Sequence, residues 1–191
     1  YLATAHLGGL VCLMVFRLCF FFSLHSALAA ETTSAWPAFL RGLWMDNVIG
    51  SYILLLPLLV VLVAQLCGRG GKGLLRFLNI WMGGFYALAF AAAAANIPFY
   101  NSFNQPLNST IWQWAAYPSQ TVGMLFGEAT WWKYIALWAV VTAVYAYGLF
   151  RWRRYFGHRL PAFPKNWRER GVSLALWLPI AGLCVLGARG R

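Results

Sequence analysis

Asn96-Ile-Pro-Phe-Tyr-Asn-Ser-Phe-Asn-Gln-Pro-Leu-Asn-Ser-Thr-Ile-Trp-Gln-Trp114 lies between two long apolar runs, and the stretch continues through Tyr117-Pro118 and Gly123-Met-Leu-Phe-Gly-Glu128 to Trp131-Trp132-Lys133. It is too polar to cross a bilayer and too rich in rings for a free aqueous loop. Asn, Gln, Ser and Thr alternate in it with Phe99, Tyr100, Phe103, Trp112, Trp114 and Tyr117. Rings with one polar edge settle at the headgroup level, where one side is wet and the other apolar. The stretch therefore reads as a membrane-surface platform, with an amphipathic helix from about Leu107 to Ala116 set off by Pro106 and Pro118. An ordinary interfacial loop between two spans is the competing reading.

Working outward, the rest of the chain is a membrane protein by composition. Hydrophobic residues make up 61% and charged residues 10%, with mean hydropathy +0.62, against about 25% charged in soluble proteins. The apolar runs give five spans, at about 7–30, 48–67, 78–95, 134–150 and 171–188. The expected fold is an all-α transmembrane bundle of five helices, with the interfacial segment 96–133 between the third and fourth. Ala27-Leu-Ala29 mimics a signal-peptidase site, but Arg17 falls inside the apolar run rather than ahead of it, so an uncleaved first span is preferred. Pro57 is expected to kink the second span, and Gly83, Gly84 and Ala91 to Ala95 to let the third sit in the middle of the bundle.

The formal net charge of +11 would suggest nucleic acid in a soluble protein. Here the cations gather in two loops with no packed soluble scaffold behind them, so nucleic acid is not an expected partner. Arg69, Lys72 and Arg76 stand in the second-to-third loop without an acid, and residues 151–170 hold seven cations against Glu169. The first-to-second loop offsets Arg41 with Glu31 and Asp46, and Lys133 is offset by Glu128. Basic loops stay in the cytosol. The expected topology has the N-terminus cytoplasmic, the platform outside and the C-terminus extracytoplasmic.

Three segments carry a family resemblance. Asn96-Ile-Pro-Phe-Tyr100 with Leu107-Asn-Ser-Thr-Ile-Trp112 and Gly123-Met-Leu-Phe-Gly-Glu128 resembles the region after the third span of membrane-anchored phosphoglycerol transferases, the lipoteichoic acid synthase family of alkaline-phosphatase-like ("sulfatase") enzymes. Ala38-Phe-Leu-Arg-Gly-Leu-Trp-Met-Asp46 resembles that family's approach to its second span, and Gly187-Ala-Arg-Gly-Arg191 its hand-over to an external domain. The likeness runs from about Arg17 to the last residue, and departs at Asn96, where family members often carry an acid. It implies a bacterial cytoplasmic membrane, and an external catalytic domain after residue 191 with a Thr nucleophile and a divalent cation (Mn or Mg).

The chain's own residues do not assemble a catalytic centre. Its acids are Glu31, Asp46, Glu128 and Glu169, its histidines have no partner at metal spacing, and no C-x-x-C pair occurs among Cys12, Cys19, Cys67 and Cys184. A metal-assisted phosphotransfer site needs several carboxylates and a nucleophile. No catalytic residue, metal ligand or cofactor is assigned to this chain. The expected role is an anchor and a guide for an anionic phospholipid substrate. Arg41, Lys133 and Arg189 are candidates for headgroup contact, with Asn101, Asn104, Gln113 and Trp112 as neutral partners. The plain alternative for each is interfacial anchoring.

Arg17, Asp46, Asn96 and Glu128 are candidate structural polar residues. Arg17 snorkels, or meets an anionic lipid head or an acidic side chain; Asp46 serves as the N-terminal acid of the second helix. Asn108-Ser-Thr110 fits a glycosylation acceptor and reads as chance in a bacterial chain. Two rival functions stay open: a small transporter, against which stands the lack of an acid in any span, and a non-enzymatic assembly subunit.

Overall fold

A computed structural model of the chain describes residues 1–23, 36–68, 70–107, 119, 129–158 and 166–189. Its elements are α1 (Leu2–Ser23), α2 (Trp36–Leu66), α3 (Lys72–Phe103), α4 (Ala129–Gly157) and α5 (Trp167–Arg189). No strand occurs among the described residues. All five helices are long and apolar enough to cross a membrane. Their outer surface makes the same point: Leu7, Val11, Leu88, Val144, Leu176 and Leu183 are each at least 60% exposed. A continuous apolar exterior of this kind needs hydrocarbon, not water, around it. The chain is a multi-pass, all-α membrane protein.

The helices are longer than the hydropathy windows predict, and each extension has a cause. α2 starts at Trp36 rather than near Val48. Pro37 suits a first turn because its missing N–H is unneeded there, and the charge of Asp46, which hides the helix from a hydropathy reading, is paired. α3 continues through Pro98 to Phe103, so Asn96 to Phe103 is helix and the first part of the expected platform belongs to the third span. Asn104 ends it in the left-handed conformation, φ 52°, with its N–H bonded to the carbonyl of Tyr100 at 2.8 Å. α4 runs on through Arg151 to Gly157, and Glu169 stands in the first turn of α5, where a helix N-terminus favours an acid. The amphipathic helix expected at 107–116 lies outside the described residues beyond Leu107.

Side-chain pairs set the directions. Tyr1 meets Asn79, Phe16 meets Phe90 and Phe20 meets Tyr100, so α1 runs parallel to α3. Trp138 donates to the carbonyl of Ala87 at 3.0 Å, while Gly157 lies by Leu75, so α4 is antiparallel to α3. α5 approaches only α2 among the described helices.

The sequence reading places α3 centrally, and it packs on α1, α2 and α4. Large side chains put it there together with small ones, since Ala94 is buried in the core and Leu149 lies against Gly83. Met82, Tyr86 and Phe90 are 0% exposed and repeat every four residues along one face. Gly84 has open space where a Cβ would be. The close approaches fall at other glycines. A Cβ on Gly9 would overlap the Tyr86 ring, and one on Gly8 would meet Trp152.

This contrast yields a test. Gly9→Leu drives a side chain into Tyr86, and the bundle is expected to lose about 1–3 kcal/mol. Gly84→Leu is expected to change stability by less than about 0.5 kcal/mol. Unfolding in detergent micelles distinguishes the two, and equal losses would contradict the packing described.

Candidate functional site

The polar groups inside the bundle form two clusters. The first joins α1 to α2. Arg17 donates from Nε at 3.1 Å and from Nη2 at 2.6 Å to Oδ2 of Asp46, and Nη2 also donates to the carbonyl of Gly42 at 2.6 Å. Asp46 is 8% exposed. Gly42 is required here because a Cβ would fall on the guanidinium. An arginine in hydrocarbon costs about 2.5–3.5 kcal/mol on insertion scales, and the carboxylate one helix away offsets its charge. Of the partners expected for Arg17, the structure supplies the acidic side chain. Asp46 is therefore not a helix-start acid: it lies well inside α2, facing α1.

The second cluster joins α1, α2 and α3. Nδ1 of His6 is 2.7 Å from the Tyr86 hydroxyl, and Nε2 is 3.4 Å from Oδ1 of Asn47. An imidazole with its single proton on Nε2 satisfies both: Tyr86 donates to Nδ1, and Nε2–H donates to Asn47. Tyr145 donates to the carbonyl of Ala5 at 3.0 Å, and the Cys184 thiol lies 3.4 Å from the carbonyl of Ser51. Gly50 makes room for this meeting, since a Cβ there would touch His6 and the Tyr86 hydroxyl. His6, Asn47 and Ser51 border a cavity of ≈550 Å³ between α1, α2, α3 and α5.

The predicted headgroup residues are only partly brought together. Arg41 and Lys133 are exposed near the same end of the bundle, on helices that do not touch. Asn101 and Asn104 are exposed at the end of α3, also at this end. Arg189 is not with Arg41: Gly187 lies against Ser51 and Asn47, which leaves Arg41 about 9 Å further along α2 at 1.5 Å per residue. Asn96 accepts a hydrogen bond from the Leu107 N–H at 2.7 Å, tying the end of α3 to the chain that leaves it. Trp112, Gln113 and Glu128 lie outside the described residues.

No three His, Cys, Asp or Glu side chains come together among the described residues. The sequence reading missed the His6–Tyr86–Asn47 cluster altogether. Its signal was a polar residue at the edge of each of the first two apolar runs and a tyrosine inside the third, with spacings that mean nothing until the helices pack. The chain matches no family model, no curated protein and no solved structure.

Removing one partner of the buried ion pair leaves the other charge uncompensated, which typically costs about 3–5 kcal/mol. Asp46→Ala is expected to lose that much. Arg17→Met combined with Asp46→Leu is expected to lose less than Asp46→Ala alone. Thermal unfolding of the three proteins in one detergent checks the ordering.

Proposed function

We propose that this chain is the membrane-anchoring and lipid-guiding part of an enzyme of the phosphoglycerol transferase type, acting on the outer face of a bacterial cytoplasmic membrane. The observation that carries this reading is the chemical opposition of the bundle's two ends. Lys72, Arg76, Arg151, Arg153 and Arg154 crowd one end; Arg41, Lys133, Asn101, Asn104 and aromatic side chains such as Trp36 and Trp132 occupy the other. In a bilayer the first end belongs in the cytosol. The second then faces out, where exposed cations attract lipid phosphate and rings cover the glycerol and acyl junction.

The family likeness adds the reaction class. Two of its segments are those the polar contacts hold: Arg17 pins Ala38–Asp46 through Asp46 and Gly42, and Asn96 holds the start of the following segment. The described residues do not gather a ligand set for a divalent cation, so no transfer step is assigned to them. Nucleophile and cation belong to the external domain that the likeness implies. A small transporter is the second reading, and one observation favours it: Asp46 is an acid inside a span, and intramembrane ion pairs often mark substrate paths.

The reading frame beyond Arg191 separates the two. A transferase requires an external domain there with clustered acids, histidines and a Thr; a stop codon favours the transporter. In the protein encoded by the complete frame, Arg41→Gln with Lys133→Gln is expected to lower turnover of a lipid phosphoglycerol donor by about tenfold, the scale of one charge-assisted hydrogen bond. Unchanged turnover at normal membrane levels would remove the guiding role. Cysteine labelling that puts residues 158–166 and residue 133 on one side of the membrane would remove the topology.

A further inference from the structure

Lys72, Arg76, Arg153, Arg154 and His158 line a pocket of ≈470 Å³ between the first turn of α3 and the last turns of α4. No side chain caps the first amides of α3, so the positive end of that helix adds to the side-chain charge. Arg153 and Arg154 stand against the Phe150 ring, with guanidinium carbons 5.6 and 4.4 Å from its centroid. Packing on a ring limits the freedom that a guanidinium must give up on binding. The sequence supplies no compensating acid nearby: within residues 68–77 and 151–170 the only acid is Glu169, which α5 carries beside Arg168 and Arg170.

The ≈550 Å³ cavity adjoins this basic pocket. Leu75 lines both, so a single side chain stands at their junction. Leu54, Leu58, Val61, Leu78, Ile180 and Leu183 give the cavity aliphatic walls. From Val61 to Asn47 it follows α2 for about 21 Å at 1.5 Å per residue, more than the roughly 15 Å depth of one leaflet's hydrocarbon. It exists because α5 leans on α2 alone, leaving a gap toward α1 and α3. A cationic pocket meeting an apolar slot of leaflet length has the two-part chemistry of an amphiphile.

We infer that the two spaces hold one anionic phospholipid from the leaflet on the basic side. Its phosphate sits among Lys72, Arg76, Arg153 and Arg154, and one acyl chain lies in the slot that α2 and α5 leave toward α1 and α3. Basic pockets between transmembrane helices favour anionic headgroups in this way. The site is at the opposite end from Arg41 and Lys133, so it stands or falls independently of the transferase reading.

The test is binding to the whole chain in detergent micelles by native mass spectrometry, offering phosphatidylglycerol, phosphatidylcholine and inorganic phosphate in turn. Retention of phosphatidylglycerol is expected to exceed that of phosphatidylcholine by at least about tenfold. Each cation contributes roughly fivefold, so Lys72→Gln, Arg76→Gln and Arg153→Gln together are expected to cost on the order of a hundredfold. Arg153→Gln alone, at about fivefold, carries the test if the triple variant does not fold. Leu54→Trp, which fills the slot, is expected to weaken lipid retention while leaving any phosphate binding unchanged. Equal retention of the two lipids, full retention by the charge variants, or phosphate bound as tightly as the lipid would each overturn the inference.

Discussion

A guanidinium within a hydrocarbon-clad bundle has to be neutralised by the bundle itself, and Arg17 sets that condition for this chain. Its partner Asp46 is one helix away, so the charge is satisfied only when α1 and α2 pack in one register. The Gly42 carbonyl is reachable only because that residue has no side chain. α2 must also be helical well before the apolar run begins, since Asp46 and Gly42 have to present themselves from one face of it. Lipid tails are as apolar as leucine, so burial of apolar surface between helices gives little drive to associate in a bilayer. Directional contacts then decide register. The His6–Tyr86–Asn47 chain and the bonds from Trp81 to Ile53 and Tyr145 to Ala5 act in the same sense, each crossing from one helix to another.

Steric fit complements these bonds. Rings on α3 and α4 enter spaces left by glycines on α1: Tyr86 opposite Gly9, and Trp152 opposite Gly8. His6 uses the space at Gly50, and Ser51 that at Gly187. Large side chains at the centre of α3 thus need small ones on its neighbours, and each polar cluster occurs where such a pair lets two backbones come close. α5 makes few of these fits. It meets α2 through Gly187 and Cys184, and its remaining faces are largely exposed.

What could be read in advance follows from how each feature is encoded. The number and order of spans were legible because a run of apolar residues is local and its length is fixed by the bilayer. The ends of the spans were not. At Trp36–Asn47 the sequence shows Arg41 and Asp46 and looks like a loop, but one of those charges is cancelled by Arg17 from another helix. At Asn96–Phe103 a proline and two asparagines suggest a helix end, yet α3 passes through Pro98 and stops only at Asn104. The polar site was illegible for a stronger reason. His6, Asn47 and Tyr86 are eighty residues apart at the extremes, and nothing local distinguishes them from other polar residues in apolar surroundings.

The ion pair also changes what the charges say about the two ends. Once Asp46 is committed to Arg17 it no longer offsets Arg41, which is exposed and keeps Glu31 as the remaining acid in its stretch of sequence. Arg17, conversely, drops out of the charge balance, because a buried pair with no net charge gives no reason to prefer one side of a membrane. The orienting signal then rests on the loop cations at the other end, where one acid faces many bases. The exposed cations near the aromatic end are too few to oppose that signal.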